Sequence, residues 1–262
     1  MDTQSALSQL AEGVRGLTTS ERWTDWLKMQ AKFHAYSWRN TMLIWLQKPD
    51  ATQCAGYRKW QELGRQVRKG EKGISILAPI MPPKKMLADN PDSRPVFFRA
   101  VAVFDVSQTD GVELPKPVSC IDGDGMADTM NRLADGLRGE GYTVDMREEQ
   151  TESRGWINGK EIVINTRGRA VNDQFRTLVH EGAHGLLEHQ ANGTDKEERE
   201  IVAESTAYVV CESLGVDSGS YSFGYVASWA SNNDPVEARK IMQAAMAAID
   251  RTSKRILTFC SA

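Results

Sequence analysis

The spacing of apolar positions in the first half of the chain predicts a small domain that mixes helices and strands. The pattern predicts helices over residues 5–17, 19–47 and 56–63, and strands over 74–79 and 95–106. Ser20 is a candidate N-cap for the second helix, and Pro49 ends it because proline lacks the N–H that a helix interior needs. This part of the chain is therefore predicted to be α+β.

The second half continues the α+β pattern with longer helices. It predicts helices over 124–140, 172–190, 196–214 and 235–251, and strands over 142–146, 156–157 and 161–165. Asn158 and Gly159 separate the last two strands, a pair typical of a hairpin with a type I′ turn. The last strand directly precedes the helix at 172–190. It is either an edge strand that could pair with an extended peptide or simply a strand of the sheet.

Charge is distributed unevenly along the 262 residues, whose formal net charge is only −3. From Tyr57 to Arg99 there are ten basic and four acidic residues, whereas from Asn172 to Glu212 there are three basic and nine acidic ones. Such asymmetry indicates two modules with different partners, although chance variation gives an alternative explanation. A run rich in glycine and proline at 108–125 places the predicted boundary between domains 1–112 and 113–262.

The cellular setting is predicted from what the sequence lacks. It has no apolar stretch of the roughly 18 residues that a membrane helix needs, and no visible secretory signal. Its four cysteines are far apart and form no CxxC pair. We therefore expect a cytoplasmic protein without a membrane partner.

Aromatic and basic residues alternate in the first module, a mixture that suits single-stranded nucleic acid. Cations follow the phosphates, and exposed rings stack on unpaired bases. The candidate DNA-binding residues are Tyr36, Arg39, Asn40, Tyr57, Arg58, Lys59, Trp60, Arg65, Arg68, Lys69 and Lys72. The alternative is that the tryptophans form a core and that the basic loop is a solvated turn.

The second module contains an HExxH motif, His180-Glu181-Gly182-Ala183-His184. Positions i and i+4 lie one turn apart on a helix, so both imidazoles can bind one zinc ion. Glu181 follows the first histidine directly and is the candidate general base toward a water molecule that the ion activates. The alternative is a structural pair of histidines with a glutamate between them.

A catalytic zinc ion needs a third protein ligand, for which Glu200 and Glu204 on the next helix are candidates. Glu200 lies in a charged run, whereas Glu204 lies among apolar residues, where a carboxylate needs a partner. The sequence thus favours Glu204, which gives a gluzincin-like site of two histidines and one glutamate. Tyr208 and Tyr225 are candidates for contacts with an oxyanion or the substrate, or simply for packing.

The assembled motifs resemble the ArdC family of antirestriction proteins. The resemblance rests on YSWRNTMLIWLQKPDATQCAGYRKWQELGRQVRKGEKGISIL (36–77), VAVFDVSQTDG (101–111), LVHEGAHGLLEH (178–189) and AESTAYVVC (203–211). It implies an N-terminal domain that binds single-stranded DNA, followed by a zincin metallopeptidase-like domain that holds Zn²⁺. The 203–211 segment resembles the glutamate-bearing helix of ImmA/IrrE-like peptidases and so supports Glu204 as the third ligand.

The resemblance also implies a protein of a mobile element that helps incoming DNA to evade restriction. Three hypotheses remain open. The chain is a zinc peptidase that is tethered to DNA and cleaves a protein substrate, a non-catalytic DNA-binding protein with a structural or partner-binding zinc domain, or a peptidase that cleaves a regulator as ImmA-like proteins do.

Overall fold

The computed structural model describes residues 2–80, 97–114, 123–188, 196–216 and 234–261. The chain divides into two compact units. Unit 1 comprises Met1–Gly16 and Tyr36–Pro115, and unit 2 comprises Leu17–Ala35 and Lys116–Ala262. Both units combine helices with small sheets, as the predicted α+β class requires. Within the described ranges, no helix is both long enough and apolar enough to span a bilayer.

Unit 1 is built from short helices on antiparallel strands. Its elements are α1 (Thr3–Arg15), α3 (Trp38–Gln47), β1 (Cys54–Ala55), α4 (Tyr57–Glu62), β2 (Arg65–Val67), β3 (Ile74–Ile80), β4 (Phe97–Asp105) and β5 (Thr109–Gly111). One sheet has the order β1-β4-β3, and β2 pairs with β5 in a second. The predicted linker at 108–125 therefore begins with a paired strand, β5.

Two amides fix α3 to β3. The Asn40 side chain donates to the Leu77 carbonyl at 3.0 Å and accepts from the Leu77 N–H at 2.9 Å. Gln47 makes the same pair of bonds with the Ser75 backbone, at 2.9 Å each. Because these bonds satisfy backbone groups of β3, they hold the helix in register with the strand.

Unit 2 packs long helices around a three-stranded sheet. Its elements are α2 (Ser20–Lys32), α5 (Ala127–Gly139), β6 (Thr143–Arg147), β7 (Gly155–Asn158), β8 (Glu161–Asn165), α6 (Val171–Glu188), α7 (Lys196–Ser213) and α8 (Pro235–Ser261). In the sheet, β8 lies between β6, to which it is parallel, and β7, to which it is antiparallel. Leu133, Ile162, Ile164, Phe175 and Leu178 are fully buried in its core.

The predicted helix over 19–47 is in fact two helices that belong to different units. Helix α2 ends at Lys32, and Ser37 caps α3 by accepting a hydrogen bond from the Asn40 N–H at 3.4 Å. Within unit 2, the indole of Trp23 on α2 donates to Ser205 Oγ at 3.0 Å, and both side chains are fully buried. The units therefore differ from the two consecutive domains that the sequence predicts, because residues 17–35 pack with the second unit.

Four local predictions need correction. Thr19 rather than Ser20 is the N-cap of α2, and its side chain accepts a hydrogen bond from the Arg22 N–H at 3.3 Å. Strand β8 is central in its sheet rather than an edge strand, and β6 and β7 form the two edges of the sheet. The hairpin turn consists of Gly159 and Lys160, and only Gly159 has a positive φ, of 57°. A type I′ turn needs positive φ at both positions, so the turn is of another type. The last helix continues ten residues beyond the predicted end at 251, to Ser261.

Candidate metal centre

Helix α6 brings two imidazoles together as the HExxH spacing predicts. His180 and His184 lie one turn apart, and their Nε2 atoms are 3.1 Å from each other. Their rings are nearly perpendicular, with an interplanar angle of 83°. The opposite side of α6, including Phe175, Leu178 and Val179, is fully buried and fixes the helix in the core.

Glu200 on α7 completes a group of three donor atoms. Its Oε2 lies 3.3 Å from His184 Nε2 and 3.7 Å from His180 Nε2. Ligands that bind one tetrahedral ion at about 2.0–2.2 Å are about 3.3–3.6 Å apart, so the observed separations of 3.1, 3.3 and 3.7 Å fit one shared ion. Two imidazoles and one carboxylate also form a suitable ligand set for a divalent transition metal.

Glu204, which the sequence analysis favoured as the third ligand, lies on the other side of the His180 ring. Its Oε2 is 3.0 Å from His180 Nδ1, in a direction that departs from ideal hydrogen-bond geometry. Its Oε1 is 3.7 Å from Arg176 Nη2. The structure thus groups Glu200 rather than Glu204 with the two Nε2 atoms, and Glu204 has a cationic neighbour and a histidine to balance its charge.

The pKa shifts of the site follow from burial and from neighbouring carboxylates. Burial raises the pKa of Glu181, while the charge of His180 opposes that shift and the charge of Glu200 adds to it. Burial lowers the pKa of His180, but the Glu204 contact and the three nearby carboxylates outweigh burial and raise its pKa overall. Burial and the charge of His180 lower the pKa of His184. A carboxyl with a raised pKa is suited to general acid–base work near neutral pH.

The donor atoms lie in a groove with two halves. One half, of about 420 Å³, is lined by Trp156, Ile157, Leu187, Lys196 and Arg199, and the other, of about 650 Å³, by Arg154, Arg176 and Thr177. Gly155 on β7, His180 and Glu181 line both halves. A Cβ on Gly155 would lie 2.7 Å from the Thr177 side chain and 2.9 Å from the Val163 carbonyl. Glycine at this position therefore allows the edge strand to approach α6 closely.

Of the two tyrosines that the sequence suggested for substrate contact, the structure describes only Tyr208. Tyr208 is 4% exposed, which agrees with the packing alternative. Tyr225 lies outside the described residues.

Several candidate DNA-binding residues have structural contacts within unit 1. Trp60 is 1% exposed and its indole donates to the Phe104 carbonyl at 2.9 Å. Asn40 is engaged with β3 as described above, and the half-buried Tyr36 donates to the Cys54 carbonyl at 2.8 Å. The buried indole of Trp60 is not available to stack on a base, so this part of the prediction needs correction.

Basic candidates in unit 1 also differ in what they contact. Arg65 bonds to the Thr109 side chain and carbonyl at 2.7 and 2.8 Å, which joins β2 to β5. Arg68 pairs with Glu71 at 2.8 Å and Asp110 at 3.3 Å, and Lys59 pairs with Glu62 at 3.1 Å. Lys59 and Arg68 are exposed despite these ion pairs, and Arg39, Tyr57, Arg58, Lys69 and Lys72 are exposed as well. We refer to Tyr57, Arg58, Lys69 and Lys72 as the basic surface of unit 1.

The sequence pattern did not indicate a role for the cations of the groove or for β7. Arg176 precedes His180 by four residues and Arg199 precedes Glu200 by one, so their positions on the metal-site helices were a usable signal. Arg154 and Gly155 gave no comparable signal, because their place beside the site depends on how β7 pairs with β8.

The chain is similar to known proteins both in sequence and in fold. Residues 3–104 match the family model for the N-terminal domain of anti-restriction factor ArdC. The chain is ArdC-like. Two crystal structures of the antirestriction ArdC protein from the R388 plasmid resemble this ArdC-like chain in fold. The metal-free structure has a TM-score of 0.57 and 21% identity over 86% of this chain and 85% of that one. The Mn(II)-bound structure has a TM-score of 0.61 and 20% identity over 98% and 97%.

A curated relative of the ArdC-like chain is the uncharacterized protein pXO2-81 of Bacillus anthracis. It is 24% identical over 278 residues, which cover 86% of this chain and 47% of the relative. The ArdC-like chain therefore spans about half the length of that relative.

Proposed function

We propose that this ArdC-like chain is an antirestriction factor of a mobile element, with a unit that binds single-stranded DNA and a metal-dependent peptide hydrolase site. The observation that carries the hydrolase proposal is the convergence of His180 Nε2, His184 Nε2 and Glu200 Oε2 beside the Glu181 carboxyl. The family match over residues 3–104 supports the antirestriction role.

We propose Zn²⁺ or another divalent transition ion as the metal. ArdC from R388 has both a metal-free and an Mn(II)-bound crystal structure, so that protein keeps an ordered fold without the ion. A similarly exchangeable ion in this chain would favour a catalytic over a structural role. In a catalytic role, such an ion polarises a carbonyl and lowers the pKa of water.

The chain's own residues would then perform the remaining steps. Glu181 accepts the proton of the attacking water and can later donate it to the leaving amine. Glu204 orients the His180 ring through Nδ1, as carboxylates beside metal-ligating histidines commonly do. The edge strand β7 offers backbone groups with which an extended peptide can pair beside the site.

The catalytic proposal is tested by Glu181→Gln, which removes the base but keeps the size of the side chain. We expect metal content to stay at the wild-type level and metal-dependent cleavage of a peptide library, followed by mass spectrometry, to fall by at least about 100-fold. Glu197→Gln, an exposed change on α7, is the matched control and should cleave normally. Cleavage that persists in Glu181→Gln would exclude Glu181 as the base.

DNA binding is proposed to use the basic surface of unit 1 together with Arg39. The exposed ring of Tyr57 can stack on a base, while Arg58, Lys69 and Lys72 can neutralise phosphates. Fluorescence anisotropy with labelled single-stranded and double-stranded oligonucleotides, over a range of salt concentrations, tests this proposal. Binding that is insensitive to salt, or absent for single strands, would contradict it.

A second candidate is a non-catalytic protein that shields DNA. The family match covers residues 3–104, which include all of the candidate DNA-binding residues, and this supports an antirestriction role in which DNA binding by unit 1 is the essential step. An assay of DNA survival in a restricting host separates the candidates. Glu181→Gln keeps antirestriction if shielding suffices and loses it if hydrolysis is required.

A further inference from the structure

The basic residues of the acidic segment Asn172–Glu212 are gathered at one place. This segment has nine acidic residues and only three basic ones, Arg176, Lys196 and Arg199. All three line the groove around the metal centre, and Arg154 from the loop before β7 joins them. A purely solubilising role would not explain why all three of these residues line the groove that contains the candidate metal centre.

The four cations stand in pairs in the two halves of the groove. Arg154 and Arg176 lie in the half that contains Thr177, and Lys196 and Arg199 lie in the half that contains Trp156 and Ile157. Gly155, His180 and Glu181 are common to both halves, so each pair of cations lies to one side of the base.

Before an ion is counted, the acidic and basic side chains of the groove are about equal in number. Arg154 pairs with Asp173 at 2.7 Å and Arg176 lies 3.7 Å from Glu204, while Lys196 and Arg199 line the groove together with Glu181 and Glu200. A divalent ion would add two further positive charges. The groove with its ion therefore has an excess of positive charge, which favours an anionic ligand.

A peptide fits the groove better than a nucleic acid does. Strand β7 borders both halves and presents backbone N–H and C=O groups with which a peptide backbone can pair. A phosphodiester backbone has no N–H group to donate to those carbonyls, and it would lie beside Glu181 and Glu204.

We infer that the groove selects peptide segments with acidic side chains on both sides of the scissile bond. Arg176 and Arg199 are the specificity-determining residues, one in each half. This inference rests on the proposed function, because it names the substrate class of the same site.

Binding to peptides of different charge tests the inference without requiring cleavage. The probes are three fluorescein-labelled ten-residue peptides in which Ala alternates with Glu, Gln or Lys. The protein is full-length Glu181→Gln loaded with Zn²⁺, with Arg58, Lys69 and Lys72 also changed to Ala so that the basic surface of unit 1 cannot bind the acidic probe. We expect the Glu peptide to bind at least about tenfold more tightly than the Gln peptide, and the Lys peptide to bind most weakly.

Single variants on this background locate the binding. Arg199→Ala and Arg176→Ala should each weaken binding of the Glu peptide by about tenfold, the effect of one lost charge-assisted hydrogen bond. Lys240→Ala, which removes an exposed cation on α8, is the matched control and should change nothing. Metal content is measured for Arg176→Ala, because Arg176 is near Glu204. If Arg176→Ala loses metal, the test of the inference rests on Arg199→Ala alone.

Equal binding of the three peptides, or preference for the Glu peptide that survives both arginine variants, would overturn the inference. The proposed function fails by a different result, namely the absence of metal-dependent cleavage in the wild-type protein. If cleavage occurs, the cut sites should be enriched in Asp and Glu on both sides, and Arg199→Glu should reverse that preference on one side.

Discussion

The basic surface of unit 1 and the groove of unit 2 both collect lysines and arginines, but they differ in how the neighbouring acids are used. In unit 1, Arg68 and Lys59 pair with Glu71, Asp110 and Glu62, so part of the basic charge is neutralised within the unit. In unit 2, Glu200 faces the two histidines and Glu204 lies between His180 and Arg176, while Arg154 pairs with Asp173 at 2.7 Å. The number of cations in a segment therefore says less about its binding properties than the groups with which those cations pair.

The largest expected effect concerns the donor atoms of the groove. His184→Ala and Glu200→Ala remove groups that lie around one shared position, and each should lower metal affinity by more than about 100-fold. Glu204→Gln should cost about 10- to 100-fold, the usual effect of an outer carboxylate that orients a ligand. Isothermal titration calorimetry with Zn²⁺ and Mn²⁺ measures these affinities.

Glu197→Gln is the control for the metal titrations and should bind as the wild type does. If Glu204→Gln cost more than Glu200→Ala, then Glu204 would be the third ligand. The third ligand predicted from the sequence would then be correct, and Glu204 would not be the outer carboxylate that orients His180.

The second prediction tests whether Trp60 belongs to the scaffold of unit 1 rather than to its surface. Trp60→Ala should lower the free energy of unfolding by about 3–5 kcal/mol, because it empties a buried site and leaves the Phe104 carbonyl without its donor. Tyr57→Ala, at an exposed aromatic three residues earlier, should cost less than about 1 kcal/mol. Urea denaturation followed by circular dichroism measures both.

Loss of DNA binding in Trp60→Ala with unchanged stability would contradict the structural role of this indole. Tyr57→Ala should show the opposite result, with weaker binding to single strands and nearly normal stability.

The third prediction concerns salt dependence. Replacing Arg58, Lys69 and Lys72 with Ala should reduce the slope of log K against log salt concentration by about 2 for single strands, since each neutralised phosphate contributes about 0.7. Lys240→Ala in unit 2 should leave the slope unchanged. An unaltered slope in the triple variant would show that these exposed residues do not contact phosphates.

The smallest expected effect is on DNA binding and follows from the substitution of an acidic residue. Asp110 is exposed and pairs with Arg68, so Asp110→Asn should strengthen binding to single strands by about twofold, because one negative charge is removed beside the basic surface. Glu197→Gln makes the same charge change in unit 2 and should have no effect. Weaker binding in Asp110→Asn would indicate that Arg68 needs its partner for positioning.

The parts of the site that could be predicted from sequence are those with fixed helical spacing. His180, Glu181 and His184 needed only one helix to bring them together. Most helices and the longer strands lie close to their predicted positions, whereas the predicted helix over 19–47 is two helices and the short strands β1, β2 and β5 were not predicted. Helical spacing could not decide which of Glu200 and Glu204 is the third ligand, because residues four apart share a helix face. The answer depends on the rotation of α7 relative to α6. The apolar sequence around Glu204 favoured it as the metal ligand, because a buried carboxylate needs a partner. In the structure, His180 and Arg176 are its partners.

The aromatic and basic pattern in unit 1 was less informative for a related reason. Alternation of rings and cations in the sequence does not say which side chains face the core. Trp60 and Tyr57 are three residues apart on the same short helix, yet one is buried and the other is exposed. Arg65 similarly bonds to β5, which lies more than forty residues away in sequence.

The position of α2 also limits how recombination can exchange parts of the gene for such a protein. The chain forms α1 in unit 1, then α2 in unit 2, and then returns to unit 1 before completing unit 2. A recombination event near codon 112 would separate the Trp23 helix from Ser205, to which it bonds. Neither unit can therefore be gained or lost intact through one crossover, and we expect the two to be transmitted together.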